Sequence, residues 1–165
     1  YPLIVTGFSQ IIFPFKANGS LFKIGSDIRG SLFIGQVFSD DKFFHGRPSV
    51  SSYDPLKSAG SNLSITSDLL NKTLEKRKND WKIRNGDSDI PWEMLYSSAS
   101  GLDPDISLNS ALLQVDRIVN ARKLNAAQKQ ALINYINITS QLNFAGFIYK
   151  SPLNVIKLNL KLVTA

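Results

Sequence analysis

Apolar positions fall into distinct periodic patterns along the 165-residue chain. Leu108, Ala111, Leu112, Val115, Ile118 and Val119 recur at helical spacing and form one continuous face. Ser107 stands ahead of them as an N-cap, so the spacing predicts a helix over 108–119. Asn125 and Gln128 form a capping-box pair, and the helix they open is expected to bury Ala131, Leu132, Tyr135 and Ile136. Ser67 caps a further helix from Asp68 to about Arg84, where Gly86 ends it with a left-handed residue. Its apolar stripe is narrow (Leu70, Leu74 and Trp81, with Leu69 beside them), which places it on the surface. Pro91 opens a short helical turn, PWEML.

Other stretches read as strands. Ser31–Phe38 is rich in β-formers, with Leu21–Ile24 as its partner after the Asn18-Gly19-Ser20 turn. In Val155–Leu162 the apolar residues Ile156, Leu158, Leu160 and Leu162 alternate with Lys157, Asn159 and Lys161. A period of two predicts a strand with one wet face. Residues 39–65 are a long loop dense in Gly, Pro, Ser and Asp, and a loop of that length in a compact domain is usually functional. Early strands, central helices and a closing strand give one α+β domain with an antiparallel or mixed sheet that joins the terminal strands.

Residues 1–15 (YPLIVTGFSQIIFPF) are apolar except Thr6, Ser9 and Gln10, and read as a helical, membrane-proximal segment. No stretch reaches the roughly 20 apolar residues a spanning helix needs. With no Met, no basic n-region and no cleavage site, the segment does not read as a signal peptide. It reads as the tail of something that continues upstream. Residues 16–165 form the soluble domain.

Composition narrows the chemistry. A hydrophobic share of 43% with 19% charged residues describes a folded chain rather than a disordered one. The absence of cysteine excludes disulfides and thiolate metal sites. The net charge of +6 allows an acidic partner or surface. Six of the 19 basic residues, Lys72, Lys76, Arg77, Lys78, Lys82 and Arg84, lie in one helix, where a solvated face accounts for them.

His45 is the single histidine, and no G-x-S-x-G elbow accompanies the serines and aspartates around it (Ser39, Asp40, Asp41, Ser49). It reads as a surface residue beside a turn glycine. Asp80, Asp87 and Asp89 form at best a weak cation site and match no EF-hand pattern. No Walker-type loop is present; Ser58–Asn62 (SAGSN) offers backbone N–H groups to an anion, and a turn with Gly60 or Asn62 at positive φ explains it equally well. Nucleic-acid binding needs stacking aromatics among the basic residues, but Phe33, Phe38, Phe43 and Phe44 sit apart in apolar runs. Four N-x-S/T sequons, at Asn18, Asn62, Asn71 and Asn137, are short enough to arise by chance. Read this way, the chain is a basic α+β domain with polar loops and no evident catalytic equipment, which favours a binding module over an enzyme.

The same loops carry a resemblance. In order stand YPLIVTG, a Gln-x-x-Phe-Pro run ending FKANGS, GSDIRGSLFIGQ-x-F, FFHGRPS, SAGSN, SASGLDPDIS, QVDRIVNAR and PLNVIKLNL. This series resembles the C subunit of the Kdp-type potassium-transporting ATPase over nearly the whole chain. The resemblance implies a single N-terminal membrane helix, whose end would be residues 1–15, and a soluble domain outside the cytoplasmic membrane. It implies a non-catalytic accessory subunit that joins a channel-like potassium-binding subunit, a P-type ATP-hydrolysing subunit and a small peptide. The complex would use ATP, Mg and K, with no cofactor held by this domain.

Family members are described as catalytic chaperones that raise ATP affinity. An extracytoplasmic domain could do so only through coupling across the membrane subunits, so capping the external potassium entrance is the more direct expectation. The residues that would carry contacts are Gln36, then Gly46, Arg47, Pro48 and Ser49, then Gly60, Ser61 and Asn62. Gly101, Leu102, Asp103 and Pro104 follow, with Gln114 and Arg117 lying off the apolar stripe. Ala59 and Asp105 depart from the family's usual Gly and His and are therefore dispensable. The alternative is an independent module that binds a small anion through SAGSN and Arg47.

Overall fold

The computed structural model describes residues 1–144 and 147–164. Its elements are α1 (Pro2–Ile12), α2 (Pro14–Ala17), β1 (Leu21–Ile24), β2 (Asp27–Ser31), α3 (Asp68–Asn85), α4 (Trp92–Leu95), β3 (Asp105–Ile106), α5 (Leu108–Leu112), α6 (Val115–Arg122), α7 (Ala126–Ser140), β4 (Gln141–Phe144), β5 (Phe147–Lys150), β6 (Leu153–Asn154) and α8 (Val155–Thr164). The class is α+β, as the sequence predicts. Among the described residues no common sheet joins the two ends of the chain, however. The described strands form three antiparallel pairs, β1–β2, β3–β6 and β4–β5.

The caps stand where the sequence puts them. Ser67 Oγ accepts from Leu70 N and Ser107 Oγ from Ser110 N. Asn125 and Gln128 exchange both capping-box bonds at 2.9 Å. Each cap supplies a partner for a backbone donor that the first helical turn leaves open. Gly86 closes α3 at φ +86, donating to Lys82 O.

Four expectations need correction. The 155–162 segment is a helix, because its buried residues are Val155, Ile156, Leu158, Asn159 and Leu162, a helical set rather than an alternating one. Asn154 caps it, its Oδ1 accepting from Lys157 N. Ser31–Phe38 is not a strand beyond Ser31. β1 pairs instead with the adjacent β2 across Gly25 and Ser26. The 32–38 stretch spends its backbone groups on the loops, Gly35 N donating to Leu102 O and Leu32 O accepting from Asn154 Nδ2. The 108–119 helix is two helices broken at Leu113–Gln114, although Ala111, Val115 and Ile118 keep one buried face. In α7, Leu132 and Ile136 are buried and Tyr135 half-buried, but Ala131 is exposed.

The core gathers Trp81 of α3, Met94 of α4, the buried face of α5–α6, Leu132 and Ile136 of α7, and Leu153, Val155, Leu158 and Leu162 at the C-terminal end around Phe44. Burying each of these large apolar side chains contributes roughly 1.5–3 kcal/mol. α1 takes no part. It buries none of its residues, and Leu3, Ile4, Phe8 and Ile11 face outward. No helix among the described residues is long and apolar enough to cross a membrane.

Candidate functional site

The 39–67 stretch lacks regular structure, so its path is set by side chains that reach it from elsewhere. Two groups of contacts hold it.

The first is a clasp under residues 41–45. Asn159 of α8 pairs with Phe44 as a neighbouring strand would: Phe44 N donates to Oδ1 at 2.7 Å and Nδ2 donates to Phe44 O at 3.0 Å. Gln114 does the same for His45, accepting from its N at 2.8 Å and donating to its O at 3.1 Å. Arg117 completes the clasp, donating to Asp41 O, Phe43 O, Gln114 Oε1 and Asn85 Oδ1 at 2.7–3.0 Å. Gln114 is fully buried and Arg117 is 6% exposed. Both therefore meet the loops rather than solvent, and their polar atoms are spent on backbone groups and on neighbouring side-chain amides. Burial pulls the Arg117 guanidinium down to about 10, against the pull of nearby Asp41.

His45 is half-buried in this clasp rather than a surface residue. Its Nε2 lies 3.1 Å from Asp40 O and 3.4 Å from Arg117 Nη1. Desolvation, then the Arg117 charge, lowers its pKa to about 4, so it is neutral at pH 7. Its hydrogen-bonding neighbours are a carbonyl and a guanidinium, not a serine hydroxyl, which gives no support to a triad.

The second group is a knot that draws the GRPS, SAGSN and SGLDP blocks together. Arg47 Nη1 pairs with Asp103 Oδ2 at 2.8 Å, and Asp103 Oδ1 also accepts from Asp105 N. Pro48 O accepts from Ser98 N, and Ser49 Oγ donates to Gly101 O at 2.6 Å. Ala59 N and Ser58 Oγ both donate to Ser100 O at 3.0 Å.

Tyr53 sits at the centre of the knot. It and Ser52 adopt φ +59 and +54, a region that costs side-chain-bearing residues on the order of 1 kcal/mol or more each. Three contacts offset this. Tyr53 N donates to Ser49 Oγ, its hydroxyl donates to Arg47 O, and its ring lies against Gly35 and Gly46. A Cβ at Gly35 would stand 2.3 Å from that ring, and one at Gly46 2.7 Å from its hydroxyl. Burial, then the Asp103 carboxylate, pushes the Tyr53 phenol up to about 12, so it remains a donor.

Within SAGSN, Asn62 takes the positive φ (+52), whereas Gly60 is small because Ala99 O would lie 3.1 Å from its Cβ. Gly101 combines both demands, with φ +68 and Ala59 O 2.8 Å from where a Cβ would stand. Ser61 and Asn62 stay exposed. Gln36 is not in a strand and turns away from the knot, its Nε2 donating to Arg29 O of the hairpin at 2.8 Å.

A cleft of about 570 Å³ borders the knot, and its lining includes Arg47, Lys150, Glu93, Asp103, Asp105 and Leu112. Burial alone would raise the Glu93 carboxyl, but hydrogen bonds from Ser110 and Ser107, with the Arg47 charge, bring it below its usual range. Burial raises Asp105. Among the described residues no group of three His or acidic side chains is placed to hold a metal ion, and Asp87 pairs with Lys82 at 2.6 Å.

Sequence reasoning named Gly46–Ser49, Gly60–Asn62 and Gly101–Pro104 as loop candidates; in the structure the first and last meet, and the SAGSN block joins them through Ser58, Ala59 and Gly60 rather than through Ser61 and Asn62. It missed Tyr53, Ser98, Glu93 and Asn159. The glycines at 35 and 46 hint at a bulky neighbour, but nothing in the sequence says that it is Tyr53.

The K+-transporting ATPase c-chain family matches residues 1–164. The potassium-transporting ATPase KdpC subunit of Serratia proteamaculans (strain 568) is 42% identical over 98% of this chain and 87% of its own length. That of Escherichia coli (strain 55989 / EAEC) is 40% identical over 98% and 86%. That of Rhodopseudomonas palustris (strain BisB5) is 38% identical over the same shares.

Proposed function

The chain belongs to the family of K+-transporting ATPase c chains, and from that premise we propose that it is a non-catalytic subunit that presents its loop knot to the other subunits of a potassium pump. The observation that carries this reading is the state of the loops. Their polar groups are paired with one another in a fixed surface, Arg47 with Asp103 and Ser49 with Gly101. A surface held in this way is pre-organised for docking and loses little freedom on binding.

On this reading α1 is the end of a single-pass membrane anchor. It is mostly apolar and buries none of its residues, and lipid or a neighbouring membrane subunit would cover it. Residues 16–164 then lie on the extracytoplasmic side. They cap the potassium entrance of the channel-like subunit and stabilise its assembly with the P-type subunit and the small peptide. The net charge of +6 would not draw potassium in, so the cap acts by contact rather than as an electrostatic funnel. An effect on ATP affinity would pass through the membrane subunits as a coupling free energy, typically 1–3 kcal/mol. The small-anion alternative has less support, because Asp103 already neutralises Arg47.

The test is co-purification of the full-length protein with pump subunits, with and without residues 16–164. The reading expects a complex that is lost or weakened without the domain. A complex equally stable without it contradicts the reading.

A further inference from the structure

The β1–β2 hairpin pairs with no third strand among the described residues, and a hairpin alone is at best marginally stable in water. Its two faces differ. Phe22 and Ile24 line a groove with Ile156 and Leu160 of α8. Leu21 and Lys23 alternate onto the opposite face, joined there by Ile28, the cross-strand partner of Lys23. On that outer face Leu21 is 43% and Ile28 59% exposed. The hairpin also begins where an exposed apolar run ends. Ile12, Phe13 and Phe15 are each more than half exposed, and Lys16 Nζ lies 5.8 Å from the Phe13 ring. Hydrogen bonds lock the root of the hairpin to these helices: Ser20 N donates to Phe15 O, Leu32 N to Ser20 O and Ser31 Oγ to Gly19 O. Gln10 of α1 and Asn18 exchange side-chain bonds at 3.1 and 3.3 Å. The hairpin is therefore fixed at the end of α2 rather than tethered loosely to it.

Charge selects what covers the outer face. In residues 13–31, Lys16, Lys23 and Arg29 stand against Asp27 alone, and Asp27 is taken by Arg29 at 3.3 Å. Neither Lys16 nor Lys23 has a carboxylate partner among the described residues. Where α2 meets the rest of the domain, Asp105 and Lys157 line one cleft with Lys16, and those two offset each other. Exposed aliphatic side chains interleaved with lysines suit the boundary of a bilayer, where the apolar parts enter the headgroup layer and the ammonium groups meet lipid phosphates. Resting on the reading of α1 as the end of a membrane anchor, we propose that the outer face of the β1–β2 hairpin lies on an anionic phospholipid surface. Leu21 and Ile28 enter the headgroup boundary, and Lys16 and Lys23 contact the phosphates. The domain then meets the membrane at two places, which fixes its tilt over the pump.

The test places the full-length chain, alone and in the assembled pump, in vesicles of phosphatidylethanolamine and phosphatidylglycerol that carry a lipid with a nitroxide at headgroup depth. These 165 residues contain no Cys, so an introduced one can hold an environment-sensitive fluorophore. Ile28→Cys reports on the outer face, Leu21→Cys repeats the reading at the root of the hairpin, and Leu56→Cys, 92% exposed in the 39–67 stretch, is the control. Labels at 28 and 21 should shift to the blue and be quenched several-fold more than the label at 56. Lys16→Gln with Lys23→Gln should lower the ratio of bound to free hairpin roughly fivefold for each charge removed, and vesicles of neutral phosphatidylcholine should lower it likewise. Equal quenching at 28, 21 and 56 overturns the proposal and leaves the anchor and subunit roles standing. Quenching that is undiminished in neutral vesicles or in the double variant overturns the choice of an anionic surface. A blue shift without lipid quenching in the assembled pump means that a protein subunit covers the face, and overturns the proposal. A wild-type chain that does not stay with the vesicles overturns the anchor reading itself.

Discussion

The clasp and the knot hold the same irregular stretch by different means. In the clasp, Asn159, Gln114 and Arg117 reach out of helices and satisfy backbone atoms of residues 41–45, and the groups that do the holding are buried. In the knot, loop meets loop through small residues, serine hydroxyls and one half-exposed ion pair. The clasp closes on itself. In the knot, Arg47 Nε and Ser98 Oγ are buried without a hydrogen-bond partner. On the proposed reading, Gln114 and Arg117 belong to the scaffold, and Arg47 and the loops around it belong to the docking surface.

Perturbing the clasp should unfold the domain. Arg117→Ala leaves the Asp41 and Phe43 carbonyls and the Asn85 amide oxygen without their donor, while Gln114 Oε1 keeps only the bond from His45 N, and about 4 kcal/mol of stability should be lost in urea unfolding. Wild-type stability would mean that water replaces the guanidinium without cost. Asn159→Leu suits the apolar surroundings but leaves both Phe44 backbone groups unpaired, and about 3 kcal/mol should go. A more stable variant would refute the strand-like pairing.

The clasp should also respond to pH through His45. The unfolded chain takes up this proton near pH 6.5, the folded chain only near pH 4. The His45 contribution is therefore flat above pH 6.5 and falls between those values, by on the order of 2 kcal/mol after solvent screening. Thermal melts of wild type against His45→Gln across that range should diverge as pH drops, the wild type losing more. Parallel curves would show that the histidine is solvated in the fold.

Perturbing the knot should cost less. Tyr53→Phe leaves Arg47 O without its hydroxyl donor but keeps the ring against Gly35 and Gly46, so about 1 kcal/mol is expected. A loss as large as that of Arg117→Ala would erase the distinction between the two regions.

The sequence carried the local part of this picture and not the long-range part. Caps are written in neighbouring residues, so Ser67, Ser107 and the Asn125–Gln128 box could be read directly. The grouping of GRPS, SAGSN and SGLDP followed from their shared loop character and from the family resemblance. α8 was misread because Ile156, Leu158, Leu160 and Leu162 satisfy a period of two, while the helical face is completed by Asn159, a polar residue that is buried for its bonds to Phe44. Hydrophobicity gives no sign of such a position. Gln114 and Arg117 stand out in the sequence as lying off the apolar stripe, but their role does not, because their loop partners are backbone atoms about 70 residues away. The strand assigned to Ser31–Phe38 failed because Asp27–Ser31, a polar run, lay closer to β1 across a tight turn.

The most direct test of the docking surface is site-specific photo-cross-linking in the assembled pump. A photoreactive residue replaces Phe33 at the rim of the knot in one protein and Lys72 on the outer face of α3 in another. The account predicts a cross-link from position 33 to an extracytoplasmic loop of a pump subunit and none from position 72. A partner captured at position 72 with none at position 33 would contradict it.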